Sequence, residues 1–157
     1  MKKLLPIVLL TVTSLVHAES YIDGSQLTPF SLTDQFDQKH TVDENTRLIM
    51  FSKDMDGNDV LKQALTGKKA DYLAQRKAVY INDISGMPGV VTFLFAKPKM
   101  RDYEYPMLLD EKPQATKNFP ARESQATLIQ LDHLKIKSIQ FTQKPEDVVT
   151  ALDALKP

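Results

Sequence analysis

The sequence predicts an α/β fold: a mixed sheet with helices on both faces and an N-terminal β-hairpin. Three observations carry this. Apolar runs of strand length alternate with helical patterns through the middle of the chain. One of these runs, Leu48 to Phe51, is continuously apolar, as a central strand covered on both faces should be. Near the end, two strand patterns flank a short turn at Asp132-His133, which adds antiparallel pairing to a parallel core.

The elements follow in order. Phe30 to Thr33 alternates apolar and polar residues, Asp34 to Lys39 is a turn cluster, and His40-Thr41-Val42 returns as a partner strand. After Leu48–Phe51, Asp56-Gly57-Asn58 starts a helix through Leu65, with Val60, Leu61, Ala64 and Leu65 inward. A short helix is expected from Lys69 to Gln75, then a strand at Ala78–Ile81. Ser85 to Gly89 turns into a helix through about Ala96, where Pro98 should break or kink it. Pro106–Leu109 is the next strand, and a short helix is expected around Ala115 to Phe119. The hairpin strands are Thr127–Leu131 and Ile136–Phe141. Pro145 opens the last helix, with Glu146 and Asp147 in its positive first turn and Val148, Val149, Leu152 and Leu155 inward.

The first residues read as an export signal. Lys2 and Lys3 precede an apolar stretch from Leu4 to Val16, and Ala18 supplies a small residue for cleavage before Glu19. That stretch, about 13 residues with Pro6 inside it, is too short to cross a bilayer as a helix. The expected organisation is a signal peptide at 1–18 and one domain at 19–157, with a periplasmic location and no membrane attachment after cleavage. The whole chain balances 20 Lys and Arg against 20 Asp and Glu. Losing Lys2 and Lys3 turns that balance slightly acidic, which gives no electrostatic case for a nucleic-acid partner. The chain has no cysteine. Zinc–thiolate and iron–sulfur sites are thereby excluded, and no metal or cofactor is expected. His40 and His133 are expected to be polar turn residues.

The junction after Leu48–Phe51 carries the functional reading. Together with the phrases Phe30-Ser31-Leu32-Thr33-Asp34-Gln35, Pro106-Met107-Leu108-Leu109-Asp110 and Ala126-Thr127-Leu128-Ile129-Gln130-Leu131-Asp132, it resembles the thioredoxin-like superfamily, in particular its exported peroxiredoxin-like and TlpA-like branch. The resemblance covers about residues 28 to 156. It implies a Cys-x-x-Cys pair at the strand-to-helix junction, facing a cis-proline. Here Asp56 and Asp59 stand at the thiol positions, and Ala126, preceded by Gln125, stands at the proline position. A carboxylate cannot form or exchange a disulfide, so thiol–disulfide chemistry is excluded. The chain is also similar to exported proteins labelled FAD/FMN-containing dehydrogenase. It has no G-x-G-x-x-G loop to support that chemistry.

Two functional readings remain. In the first, the chain is a redox-inactive thioredoxin-fold binding module with an unidentified protein partner, as a monomer or homodimer. Its interaction surface would be the nearly all-apolar helix Val90–Ala96 with its rim, here Val91, Phe95, Met100 and Tyr103. The N-terminal hairpin and the Met100–Tyr105 loop are expected to cover the surplus apolar surface of that helix. In the second, Asp54, Asp56, Asp59 and Asp83 line a reused pocket, with Gln125 and Ala126 beside it, and hold a metal or small molecule. Against that stands helix capping, which uses the same residue types at a helix start.

Overall fold

The computed structural model describes residues 19–155; the expected signal peptide at 1–18, with its cleavage residue Ala18, lies outside them, and Glu19 is the first described residue. Seven strands form one sheet in the order β2-β1-β5-β4-β3-β6-β7. They are β1 (Phe30–Asp34), β2 (Lys39–Val42), β3 (Leu48–Ser52), β4 (Ala78–Asp83), β5 (Leu108–Asp110), β6 (Ala126–Asp132) and β7 (Lys135–Thr142). The pairs β3–β4 and β4–β5 are parallel; β1–β2, β1–β5, β3–β6 and β6–β7 are antiparallel. The expected mixed sheet and N-terminal hairpin are both present.

Because strand side chains alternate between faces, β3 divides its residues between two cores. Leu48 and Met50 join Tyr80, Leu128 and Met107 in one core, while Ile49 and Phe51 join Ile81, Leu108 and Ile129 in the other. The helices α1 (Met55–Ala64), α2 (Tyr72–Gln75) and α5 (Pro145–Asp153) all deliver their buried residues to the first core: Leu61 and Ala64, Leu73, and Val148 and Leu152. The second core takes no helix residue among those described. Its cover is the N-terminal segment with Tyr21 and Leu27, and the loop that carries Phe119.

Helix cover was expected on that face too, from Ala115 to Phe119. That stretch forms turns instead. The carboxylate of Asp110, 4% exposed, accepts both the backbone N–H and the hydroxyl of Thr116 at 2.9 Å, which ties the loop down where a helix would need those groups free. Phe119 then stands edge-on to Phe51 at 5.3 Å and to Phe30 at 6.0 Å.

Pro98 does not end its helix. The chain runs through α3 (Gly89–Val91), a π-helical turn (Thr92–Ala96) and α4 (Lys97–Met100). In the wide turn the Lys97 N–H donates to Thr92 O, and Pro98 falls in the first turn of α4, where a missing N–H costs little. The hairpin turn also differs from its expected position. His133 and Leu134 are its central residues, both at positive φ (48° and 63°), with the Leu134 side chain drawn into the second core. Among the described residues no helix is long and apolar enough to cross a membrane.

Candidate functional site

The carboxyl ends of β3 and β4 meet the start of α1, and a cleft of about 370 Å³ opens there. Asp54 is the N-cap of α1: one carboxylate oxygen accepts from Gly57 N at 2.8 Å, and the other accepts from Ser124 N at 2.8 Å. It thus pins the helix start to the loop before β6. Gly57 makes that contact possible, since a Cβ there would stand 2.5 Å from the Gln125 carbonyl oxygen.

The other aspartates are engaged separately. Asp56 accepts from the Ser124 hydroxyl at 2.7 Å. Asp59 turns away from the cleft and pairs with Lys62, one helical turn on, at 2.6 Å. Asp83 accepts from Ser85, N–H at 3.0 Å and hydroxyl at 2.6 Å, inside its own turn. Of the four, only Asp54 and Asp83 line the cleft. Among the described residues no three His, Cys, Asp or Glu side chains come together at metal-holding distance. Gln125 contributes its backbone against Gly57, and Ala126 is fully buried in the first core, in β6 opposite Thr142. No cis peptide bond occurs among the described residues.

What lies behind the cleft is neutral. Ser52 and Asn82 are register partners on β3 and β4, and the Ser52 hydroxyl donates to the Asn82 side-chain oxygen. The Asn82 amide donates to Asn58 Oδ1 at 2.7 Å, and the Tyr80 hydroxyl donates to the same oxygen. All four residues are buried. Burial holds the Tyr80 phenol protonated well above the ordinary range, reinforced by Tyr105 and Tyr103. A set of amides, a hydroxyl and a neutral phenol can position a group but supplies no base or nucleophile. Asn58, Asn82 and Ser52 were not among the expected site residues. Two of them had a signal in the sequence: Ser52 directly follows the apolar run Leu48–Phe51, and Asn82 the run Ala78–Ile81.

Beside this cleft the helix surface is bare. Phe93, Val90, Phe95 and Leu94 are 74%, 69%, 68% and 54% exposed, and Val91 is also exposed. The expected cover by the hairpin and the Met100–Tyr105 loop is therefore not made. Met100 and Tyr103, expected on the surface, instead pack against the first core, and Tyr105 lies within it. The basic residues next to this helix, Lys97 and Arg101, are engaged as well. Lys97 bridges Asp37 at 3.0 Å and Glu111 at 3.1 Å, and Arg101 donates to Gln35 O at 2.8 Å and to Asp37 at 3.1 Å. Met55, at the start of α1, extends the bare surface and lines the cleft together with Met87 and Pro88.

This fold is thioredoxin-like. The chain is similar to the thioredoxin domain of a thiol-disulfide oxidoreductase from Bacteroides vulgatus, at 9% identity and a TM-score of 0.55, covering 88% of this chain and 100% of that one. It is similar to the peroxidoxin BcpB from Mycobacterium tuberculosis, at 14% identity and a TM-score of 0.54, covering 87% and 99%. It is also similar to StoA from Bacillus subtilis, at 11% identity and a TM-score of 0.51, covering 78% and 95%. No protein-family model and no curated protein matches the chain. With no cysteine in the sequence, the chain has no thiol with which to perform thiol–disulfide exchange.

Proposed function

We propose that this chain is an exported, redox-inactive thioredoxin-fold protein of the periplasm that works by binding, and that its partner is an extended apolar segment of another polypeptide. Export is supported by the basic and apolar N-terminal pattern ending at Ala18. The observation that carries the binding reading is the run of exposed apolar residues, Val90, Val91, Phe93, Leu94 and Phe95, beside the old active-site edge. Contiguous exposed apolar surface of this kind marks interaction sites. An extended segment suits it because a narrow cleft adjoins the helix. Met55 and Met87 line that cleft, and flexible thioether side chains adapt to different apolar anchors.

The test uses a fluorescein-labelled, reduced and carboxymethylated lactalbumin as an unfolded probe, read by fluorescence anisotropy. Wild-type protein should bind it saturably. A Phe93→Glu/Phe95→Glu variant should bind about tenfold more weakly or worse, with its melting temperature unchanged because both rings are already in water. Absence of saturable binding, or equal binding by the variant, overturns the reading. So does a wild-type dimer in sedimentation that the same variant splits into monomers, since that result gives the surface to a second copy.

A further inference from the structure

At the other end of the parallel strands lies a second and larger cavity, of about 630 Å³. It exists because the sheet is incomplete there. β5 begins only at Leu108, opposite Ile81, so Ala78, Val79 and Tyr80 of β4 have no strand beside them on that edge. Across the gap stands the N-terminal hairpin, whose β1 meets β5 only through Thr33 and Asp34. Gln35 closes the top of the gap with its side chain, accepting from Met107 N at 2.8 Å and donating to Tyr105 O at 2.9 Å. Below it the space stays open. Its walls are drawn from both cores, Leu73 and Ala78 from the first and Val79 and Leu108 from the second, with half-exposed Phe36 at the mouth.

The lining also carries polar residues, exposed Gln38, Lys77 and Glu104 among them, and it includes one hydrogen-bonded pair, Asp34 and His40. Asp34, 1% exposed, accepts from Phe36 N at 2.8 Å and Gln38 N at 2.9 Å, and its second oxygen meets His40 Nε2 at 2.7 Å. A carboxylate accepts only, so Nε2 carries the proton it donates. In the neutral ring, Nδ1 is then left as a lone-pair acceptor on a side chain that lines the cavity. His40 lies on the expected strand, but it is half-buried rather than a polar surface residue, and a buried carboxylate holds it in one orientation.

We infer that this cavity is a binding site for a small, uncharged, mostly apolar molecule carrying one hydroxyl, a phenol or similar alcohol, whose O–H donates to His40 Nδ1. The volume lies within the range of small-molecule sites, which combine apolar walls with few, well-placed polar groups. A charged ligand finds no single-sign wall, because the charge of Asp34 is already met by two N–H groups and the imidazole, and Asp43, Lys77 and Glu104 bring both signs to the lining. The site is separate from the cleft at α1 and independent of the apolar helix.

The experiment is an NMR titration of the protein with 4-propylphenol, with propylbenzene as the isostere lacking the hydroxyl. The phenol should shift the amide signals of Leu73, Val79 and Leu108 saturably, and propylbenzene should bind about tenfold more weakly. His40→Leu should remove that preference. Ala74→Trp, a substitution at an exposed lining position, should block both ligands while leaving the melting temperature unchanged. Three results overturn the inference: no saturable shift at these residues, equal affinity for the two compounds, or undiminished binding by Ala74→Trp. The first concerns the cavity alone, so it leaves the apolar-helix reading standing.

Discussion

Asp54 and Asp59 are close in sequence and of one chemical type, yet they have opposite surroundings. Asp54 satisfies an orphan N–H at the start of α1 and a backbone N–H of the loop before β6. Asp59 only pairs with Lys62 in solvent, with 51% of its own side chain exposed. Asp54→Ala should therefore cost about 1–2 kcal/mol of unfolding free energy, while Asp59→Ala should stay within about 0.5 kcal/mol. Urea denaturation of the two variants measures both. Equal losses would show that the acidic residues act as one cluster and would contradict their separate roles. The neighbouring Asn58 shows what a sequence pattern hides. It lies between two aspartates in a polar stretch, yet it is the residue that turns inward to Tyr80 and Asn82, since helical periodicity rather than polarity decides direction.

The segment from α3 to α4 is attached to the rest of the molecule mainly by its last turn. Thr92 is its buried residue, and the clamp from Lys97 and Arg101 to Asp37 joins it to the β1–β2 turn. The hydrogen bond from Lys97, together with its charge, lowers the Asp37 carboxyl below its ordinary 3.8. A lowered carboxyl stabilises the fold above its unfolded value and loses that contribution as pH falls through the folded one. Burial works to lower Lys97, but Asp37 and Glu111 outweigh it and raise the ammonium above 10.5, so its contribution is lost only in strong alkali. The clamp is thus intact between about pH 4 and pH 10. Melting temperatures of wild type and Asp37→Asn should differ modestly at pH 7, and the difference should start to shrink only as pH falls below 3.8, the ordinary value for Asp37, toward its lowered folded value. A gap that is the same at pH 7 and in strong acid would show that the ion pairs do not hold the segment.

The two cores lie on opposite faces of the sheet, and the first contains a buried aromatic group. Tyr80 and Tyr105 stand 6.2 Å apart, and Tyr103 is 5.5 Å from Tyr105. Burial raises the phenols of Tyr80 and Tyr105 above the usual range of 10, Tyr105 with help from Tyr103. A raised phenol favours the fold below its unfolded value, and that contribution disappears as pH climbs toward the folded one. In an alkaline titration followed at 295 nm, these two tyrosines should ionise only as the circular-dichroism signal of the fold is lost. Ionisation of all five tyrosines near pH 10 with the fold intact would contradict the packing of this core.

The sequence alone determined the order of elements, the central place of Leu48–Phe51 and the absence of thiol chemistry, because strand periodicity, apolar runs and residue identity are local properties. It did not reveal that 115–119 would form turns, since the Asp110 hydrogen bonds that hold them come from a neighbouring strand. Nor did it show that Val90 to Phe95 would stay bare, because exposure depends on whether another element reaches the surface. Only the tertiary structure decided the cavity beside β4. That space exists through the register of β5 against its neighbours, and it is furnished by Asp34 and His40, strand residues whose partnership is a consequence of the hairpin's fold.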